Sequence, residues 1–506
     1  YGEVDEKTVR PWHVRLMASF FNLEDFEIKT ILKDAGNSVG TLKVGLSLDH
    51  IISKLRDVLL DSITVFAISI LMFIEMLLFT GTLFRTVPVE EKEKNRIRQD
   101  GVDYRWMRPA AFLLLFAIDL SMSFIPLHLA KLYQPIMGFS KDLVLGLPIT
   151  VEFIFVGLSI FFAGFWVDRR GWHEPFVIGL ALTSTGILYS WLAPNAIHFI
   201  ISRAFVGTGY GLSLMASQGF VIKFTDWRNK ASGLADLFAG IYAGSICGGA
   251  TGAMLADRYG YNFVFFIGAV IIFSIIAYCF MFMQKAMTNP KPETSTAITD
   301  VKANSTGFWV FLRNRIVISL IFFSSMPASI AVVGFLNYFC PIYLNGLGVS
   351  QSAIGRMLML YGVCLVYIGP VIGRWVDLSF HKKNYVFVGC LLGSFTFLMF
   401  VFAEGVFATA VAVFILSLSS SFVLSSQSAY ILNLKITKAY GEGKAIGIFR
   451  SSSRIGQALG PIVFSNLMLI GDLGKGIKLF GLAYLATAII FIILTRKDRS
   501  HTLQEA

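Results

Sequence analysis

The chain has 506 residues, of which 55% are hydrophobic and only 15% are charged. A soluble protein would carry about a quarter charged residues, so this composition excludes a soluble enzyme, a disordered chain and a secreted disulfide scaffold, and indicates many membrane spans. The net charge is +11. We interpret it as an excess of basic residues in the cytoplasmic loops of a membrane protein, and not as a nucleic-acid-binding surface.

Residues 1–58 differ from the rest of the chain. The stretches RPWHVRLMASFF, FEIKTILKD and SVGTLKVGLSL alternate apolar and polar residues, which predicts strands, and LDHIISKLRDVLL has helical spacing. Because three strands cannot form a core alone, we expect a small α+β extracytoplasmic segment that is the C-terminal part of a larger domain. Its last strand and the following helix resemble the end of a Cache-type ligand sensor. A cap without a sensing role and a docking site for a partner protein are the alternatives.

Thirteen apolar runs follow, each long enough for a bilayer span of about 20 residues. The first predicts an extra transmembrane helix at 59–85, and a charged cytoplasmic linker at 86–108 separates it from the other twelve. These form one six-helix bundle at 109–284 and another at 316–495, with a central loop at 285–315 and a tail at 496–506. The twelve runs are 109–132, 143–167, 174–194, 196–222, 232–256, 261–284, 316–344, 351–377, 384–404, 406–432, 446–470 and 476–495.

Lys and Arg concentrate in alternate loops of this arrangement. The positive-inside rule makes those loops cytoplasmic, which places residues 1–58 outside and the C-terminus in the cytoplasm. We expect the membrane to be a bacterial inner or plasma membrane. The five cysteines all fall inside apolar runs without paired spacing, so they predict neither disulfides nor metal ligands.

One loop motif occurs twice, at equivalent places in the two halves. It reads GFWVDRRGW after the second of the twelve helices and GRWVDLSFHKK in the second half. The motif residues are Gly164, Asp168, Arg169, Arg170, Gly171, Gly373 and Asp377. The repeat resembles the signature loop of the major facilitator superfamily, which implies an all-α integral membrane protein with a twelve-helix fold of two pseudo-symmetric bundles, here with one additional N-terminal helix.

The resemblance also implies a conformational latch at these loops. In such a latch Asp168 caps the start of the span at 446–470, near Arg450, and Asp377 caps the start of the span at 232–256. A carboxylate is favourable there because a helix N-terminus carries partial positive charge. The alternative is that the loops only fix the topology.

Two helices of the first half carry further motifs, SRAFVGTGYG and AGIYAGSICGGATG. Arg203 lies inside a span, where a charge costs several kcal/mol, so it needs an acidic partner, a substrate anion or an aqueous cavity. A structural ion pair is one reading. The glycines resemble an antiporter motif, although Ser245 replaces the usual proline, and small residues at this spacing predict close helix packing. The pseudo-equivalent helix of the second half reads GQALGPIVF. The predicted packing residues of the two helices are Gly240, Gly244, Gly248 and Gly249 in the first half and Gly456, Gly460 and Pro461 in the second.

The resemblance places the substrate cavity at the midplane between the halves, which makes polar residues inside the spans the candidates. They are Asp119, Glu152, Arg203, Gln218, Tyr242, Asn337, Tyr338, Arg356, Tyr361, Gln427 and Arg454. Asp119, Glu152 and His128 are the candidates for proton coupling, since their charge can change with access. More embedded arginines than carboxylates favour an anionic or zwitterionic solute, and the many Phe, Met and Tyr residues suit an amphipathic one.

We therefore predict a secondary active transporter, monomeric in membrane lipid, that moves a small organic solute by alternating access with proton coupling and without a cofactor. The alternative is a membrane receptor or transport regulator in which the outer segment binds a ligand and the helices relay the signal. The sequence contains no nucleophile elbow, metal-ligand cluster or phosphate loop, so we do not predict an enzyme.

Overall fold

The computed structural model describes residues 26–34, 37–46, 48–84, 103–136, 138–225, 230–284, 307–379, 381–469 and 473–496. The chain forms two units, Tyr1–Ile70 and Leu71–Ala506. In the first unit, β1 (Phe26–Asp34) and β2 (Asn37–Leu46) pair as an antiparallel hairpin, and α1 (Leu48–Phe84) begins. These strands coincide with two of the three that the sequence predicts. The third, RPWHVRLMASFF, lies outside the described residues.

The second unit contains the remaining helices. In the first half they are α2 (Met107–Asp119), α3 (Ile125–Lys131), α4 (Lys141–Arg170), α5 (His173–Leu192), α6 (Ala196–Phe224), α7 (Lys230–Tyr259) and α8 (Tyr261–Phe282). In the second half they are α9 (Phe308–Arg313), α10 (Arg315–Gly346), α11 (Gln351–Leu378), α12 (Lys382–Leu398), α13 (Gly405–Asn433), α14 (Lys435–Tyr440), α15 (Glu442–Met468) and α16 (Leu473–Leu494).

Eleven helices within the described ranges are long and apolar enough to cross a membrane. Two predicted spans fall short of that criterion. The run at 109–132 is divided by a turn at residues 120–124 into α2 and α3, and the run at 446–470 forms α15, whose arginines and serines lower its hydropathy. With α2 and α3 taken as one span, the described chain has α1 and then six long helices before residues 285–306, and six long helices after them. The predicted all-α membrane fold is confirmed.

Local sequence signals set several helix ends. Ser140 caps α4 by accepting a hydrogen bond from the Leu143 amide, and Asn195 caps α6 in the same way through the His198 amide. Gly171 ends α4 with a φ of 85°, a conformation that glycine adopts without steric cost. These caps fix where each long helix enters its loop.

A stripe of glycines joins α7 to α2. A Cβ on Gly244, Gly248 or Gly252 would overlap the carbonyl oxygen of Phe112, Phe116 or Leu120, respectively. Because these glycines recur at every fourth position, they form one face of α7 along which the two backbones touch. Gly249 is off this face, since its Cβ position lies 3.9 Å from the nearest atom, the Asp119 carbonyl oxygen.

Two alanine substitutions test this packing. We expect Gly244→Ala to destabilise the protein by about 1–3 kcal/mol, because the added methyl group must push α2 away from α7. Gly249→Ala, a matched change on the next face, should leave the melting temperature in detergent close to that of the unsubstituted protein. Equal melting temperatures for the two variants would contradict the assigned face.

The second half uses glycines in the same way. A Cβ on Gly456 of α15 would lie 2.9 Å from the Met326 carbonyl oxygen, and one on Gly460 would lie 2.7 Å from the Gly334 nitrogen, so both face α10. Pro461 instead lies against Gly146 of α4, in the other half. The segment around 456–461 therefore packs within its own half and also across to the first half.

Candidate functional site

A buried ion pair joins two helices of the first half. Arg203 of α6 donates from Nε and Nη2 to Glu152 Oε2 of α4, at 3.0 and 2.6 Å, and the two side chains are 0% and 3% exposed. Gly207, one turn after Arg203, lies directly against the Glu152 backbone, which lets the helices approach. The acidic partner that the sequence analysis expects for Arg203 is therefore Glu152. Its buried Nη1 has no hydrogen-bond partner within the described parts of the chain.

Asp119, at the end of α2, lies beside this pair. Its carboxyl group hydrogen-bonds with the Ser245 side chain of α7 and interacts electrostatically with Glu152 and Arg203. Among the described residues it forms no ion pair. Ser245 thus contacts a carboxylate at the position where the resembling motif has proline. Three ionisable groups, from α2, α4 and α6, share one region of the first half.

Arg454 of α15 reaches this region from the second half. Its Nη1 donates to Gln457 Oε1 at 2.9 Å, and its guanidinium also hydrogen-bonds with Tyr210 of α6. Within the described ranges no carboxylate forms an ion pair with it. The backbones meet here as well, because a Cβ on Gly157 of α4 would lie 3.4 Å from the Arg454 Cβ.

Tyr210 is a residue that the sequence analysis missed. It interacts with Arg454 of the second half and with Asp119 and Tyr242 of the first, so it lies between an acid and a base that come from opposite bundles. It follows Arg203 by seven positions, which puts both on one face of α6. That spacing was the available signal.

A second cross-half contact involves tyrosines. Tyr361 of α11 hydrogen-bonds with Ser420 of α13 and interacts with Tyr242 of α7. The remaining candidates Gln218, Asn337 and Arg356 are half-buried on α6, α10 and α11.

Three candidates make their contacts elsewhere. Gln427 lies inside the second bundle, where its Nε2 donates to Ser324 Oγ at 2.7 Å. The Tyr338 hydroxyl donates to the backbone carbonyl of Asp142. His128 of α3 lies among three aromatic rings at 4.9, 5.7 and 5.1 Å between centroids, those of Phe199, Tyr261 and Phe265. None of these contacts joins the group around Arg203.

The halves pack closely at one end, which we call the closed end and define by the start of α4 and the end of α7. There Ser352 Oγ of α11 donates to Asp257 Oδ2 of α7 at 2.7 Å, and Gly355 lies against Ala253. At the opposite end, called the open end, Arg450 is exposed with its guanidinium 5.5 Å from the Phe238 ring centroid. Gly447, also at the open end, has no atom within 4 Å of its Cβ position.

The repeated loop motif lies at the open end. Arg169 and Arg170 are exposed, and Arg170 Nη1 forms an ion pair with Glu174 Oε2 at 3.4 Å. Gly164 and Gly373 have their nearest neighbours, Met215 and Ser425, within their own halves. The side chains of Asp168 and Asp377 lie outside the described residues, so the latch stays a prediction.

Charged and polar side chains of the two helical bundles come together around Tyr210. Within the described ranges, no group of three or more His, Cys, Asp or Glu side chains could hold a metal ion. A family model described as Major Facilitator Superfamily matches residues 107–461, with an overlapping second match at 321–503. The chain belongs to this superfamily and is a multi-pass membrane transporter. The matched region begins at α2, so α1 and the segment before it lie outside the match.

Known proteins with similar sequences or folds agree with this assignment. Multidrug resistance protein MdtG of Salmonella choleraesuis is 25% identical over 363 residues, which cover 70% of this chain and 85% of that protein, and MdtG of Salmonella arizonae gives the same figures. A POT family transporter in complex with 5-aminolevulinic acid has a TM-score of 0.64 at 12% identity over 79% of this chain and 98% of its own. A mutant of peptide transporter POT in complex with alafosfalin has a TM-score of 0.65 at 15% identity, over 79% and 95%. The solved structures support the fold.

Proposed function

We propose that the protein transports a small organic solute by alternating access with proton coupling, and that the solute is anionic or zwitterionic with an amphipathic body. The observation that carries this proposal is the position of Asp119 and Arg454. They come from opposite halves, each interacts with Tyr210, and within the described residues neither has an ion-pair partner.

The charges around Arg454 favour an anionic group on the solute. A guanidinium inside the membrane costs several kcal/mol unless it is paired. Within the part of the chain that the structure describes, the hydrogen-bond partners of Arg454 are the neutral residues Gln457 and Tyr210. A carboxylate or phosphonate accepts two hydrogen bonds from a guanidinium in a matching geometry, so a solute anion completes this site. A cationic group on the same solute, or a proton, neutralises the Asp119 carboxylate.

Proton coupling is assigned to Asp119, with Glu152 as the second candidate. Asp119 lies close enough to the Glu152–Arg203 pair that adding a proton changes the electrostatic balance of all three groups. Binding of a solute cation and binding of a proton then exclude each other at Asp119.

The tight contacts at the closed end and the exposed Gly447 and Arg450 at the open end suit an inward-facing state, if the basic loops are cytoplasmic as the sequence predicts.

The names of MdtG and of the POT family transporter are consistent with a small-molecule solute for this chain. MdtG is named for multidrug resistance, and the POT family transporter was solved with 5-aminolevulinic acid, a zwitterion.

A thermal-shift experiment on the purified protein tests the solute class. A panel of small zwitterions, beginning with 5-aminolevulinic acid, is compared with relatives that each lack one charge, such as levulinic acid and methyl 5-aminolevulinate. A ligand that binds only the folded state raises the free energy of unfolding, by about 2.7 kcal/mol at a ligand concentration of 100 times Kd, and so raises the melting temperature. We expect a zwitterion to give the largest shift and the relative without the anionic group the smallest.

Two variants make this test specific. Arg454→Gln should remove the shift, whereas Arg450→Gln, one helical turn away at the exposed end, should keep it. The proposal is wrong if neither a zwitterion nor an anion raises the melting temperature, if the relative without the anionic group raises it as much as they do, or if Arg454→Gln binds as well as the unsubstituted protein.

A further inference from the structure

The last turns of α1 contain a charged residue inside a membrane-length apolar helix. Glu75 lies within the Lys54–Thr82 span, and this part of α1 belongs to the second unit. Its carboxylate accepts from Arg108 Nε at 3.0 Å and from Arg108 Nη2 at 2.7 Å, one bond to each oxygen. The side chains are 10% and 19% exposed, although most of α1 is exposed in the structure. This bidentate pair is the strong form of a salt bridge, and it attaches α1 to the start of α2.

Arg108 is shared with a second carboxylate. Its Nη1 lies 3.8 Å from Asp236 Oδ1 of α7, and the Tyr104 hydroxyl donates to Asp236 Oδ2 at 3.3 Å. The Arg108 stem also lies against Gly240, where the glycine stripe of α7 begins. One guanidinium therefore connects α1, α2 and α7.

An aromatic cluster reinforces this attachment. The Phe79 ring of α1 lies 6.2 Å from Trp106, 5.9 Å from Tyr278 and 6.1 Å from Phe282, between centroids. The Tyr278 hydroxyl donates to the Trp106 carbonyl at 2.9 Å. The turn before α2 is thus held between α1 and α8, and edge-to-face ring pairs of this kind add stability beyond their buried area.

The charged contacts continue to the other half. Asp236 is two residues before Phe238, whose ring contacts the Arg450 guanidinium of α15 at the open end. Residues two positions apart on a helix do not face each other, so the backbone of α7 is what connects the Arg108 contacts to the second bundle. Coupling between distant parts of a protein requires such an element with two arrangements, and here Arg108 can pair more closely with Glu75 or with Asp236.

We propose that α1 is a regulatory helix of the carrier that acts through Glu75. By holding Arg108 towards α1, Glu75 limits its pairing with Asp236 and so sets how readily α7 changes its contact with α15 at the open end. Glu75 is a positioning residue and touches no solute. The proposal does not depend on which solute is carried, or on whether protons are coupled to it.

A labelling experiment on the full chain tests this role. Gly447→Cys introduces an exposed thiol at the open end, and its reaction rate with a water-soluble maleimide reports how often that end is accessible. The five native cysteines are buried, and the protein without Gly447→Cys measures their background. Adding Glu75→Gln should change the labelling rate by roughly 2- to 30-fold, the range expected for coupling through a contact network. Glu75→Asp, which keeps a carboxylate on α1, should change the rate less than Glu75→Gln does.

The same samples separate regulation from anchoring. If Glu75→Gln lowers the melting temperature but leaves the labelling rate unchanged, α1 is only an anchor and the proposal is overturned. If Glu75→Gln does not fold, Arg108→Lys replaces it, because lysine keeps the charge but cannot bind both oxygens in a fork. An unchanged labelling rate in folded Arg108→Lys would also overturn the proposal.

Discussion

Replacing Glu152 with leucine should lower the free energy of unfolding by about 3–5 kcal/mol, because it leaves the Arg203 guanidinium buried and uncompensated. Arg203 is fully buried, and two of its donors are satisfied by Glu152. Chemical or thermal unfolding in detergent measures this loss. Among the substitutions considered for this protein, we expect it to have the largest effect on stability.

Glu174→Leu is the matched control for this prediction. It removes a carboxylate from the Arg170–Glu174 pair, whose side chains are 69% and 36% exposed, and exposed pairs contribute about 0–1 kcal/mol. A double variant, Glu152→Leu with Arg203→Met, should regain much of the lost stability because no buried charge remains. If Glu152→Leu were as stable as Glu174→Leu, the Glu152–Arg203 pair would not be the buried pair described above.

Asp119→Asn should abolish gradient-driven accumulation of solute while leaving exchange of solute for solute intact. Asparagine keeps the shape and can still bond to Ser245, but it cannot bind and release a proton at this position. The measurement compares uptake into proteoliposomes under an imposed proton gradient with counterflow of labelled solute in the absence of a gradient. The expected effect is complete loss of the first activity and retention of the second.

The control for Asp119→Asn is Glu404→Gln. Glu404 is an exposed acid before α13, away from the charged group between the halves. This variant should accumulate solute as the unsubstituted protein does. Undiminished accumulation by Asp119→Asn would remove Asp119 from the coupling role and leave Glu152 as the remaining candidate of the group.

The sequence predicts the helices well because an apolar run of this length lies in the bilayer, where the backbone must satisfy its own hydrogen bonds by forming a helix. It also predicts that Arg203 has a partner, because a buried charge must be compensated. The four-residue spacing of Gly240, Gly244 and Gly248 extends to Gly252, which the structure places on the α2 contact face instead of Gly249. The sequence analysis named Gly249 and not Gly252, although the four-residue spacing was the signal for Gly252.

Other features depend on tertiary contacts that a single sequence does not contain. The turn at residues 120–124 is followed by Pro126 in the first turn of α3, but the run is apolar on both sides of that proline and was therefore predicted as one span. Polar residues inside spans are recognisable, but their partners are not, and Gln427 and His128 bond or stack within one bundle while Tyr210 lies between the two. The role of Glu75 depends on Arg108 and Asp236, which lie 33 and 161 positions later in the chain.

Gradient-driven uptake into proteoliposomes tests the transporter assignment and its mechanism most directly. The purified protein is reconstituted, a proton gradient is imposed, and a labelled zwitterion selected by the thermal-shift panel is followed inside the vesicles. We predict accumulation above the outside concentration, which a proton ionophore abolishes. Binding of the same zwitterion without any flux, with or without the gradient, would contradict the transporter account and favour a ligand-sensing protein.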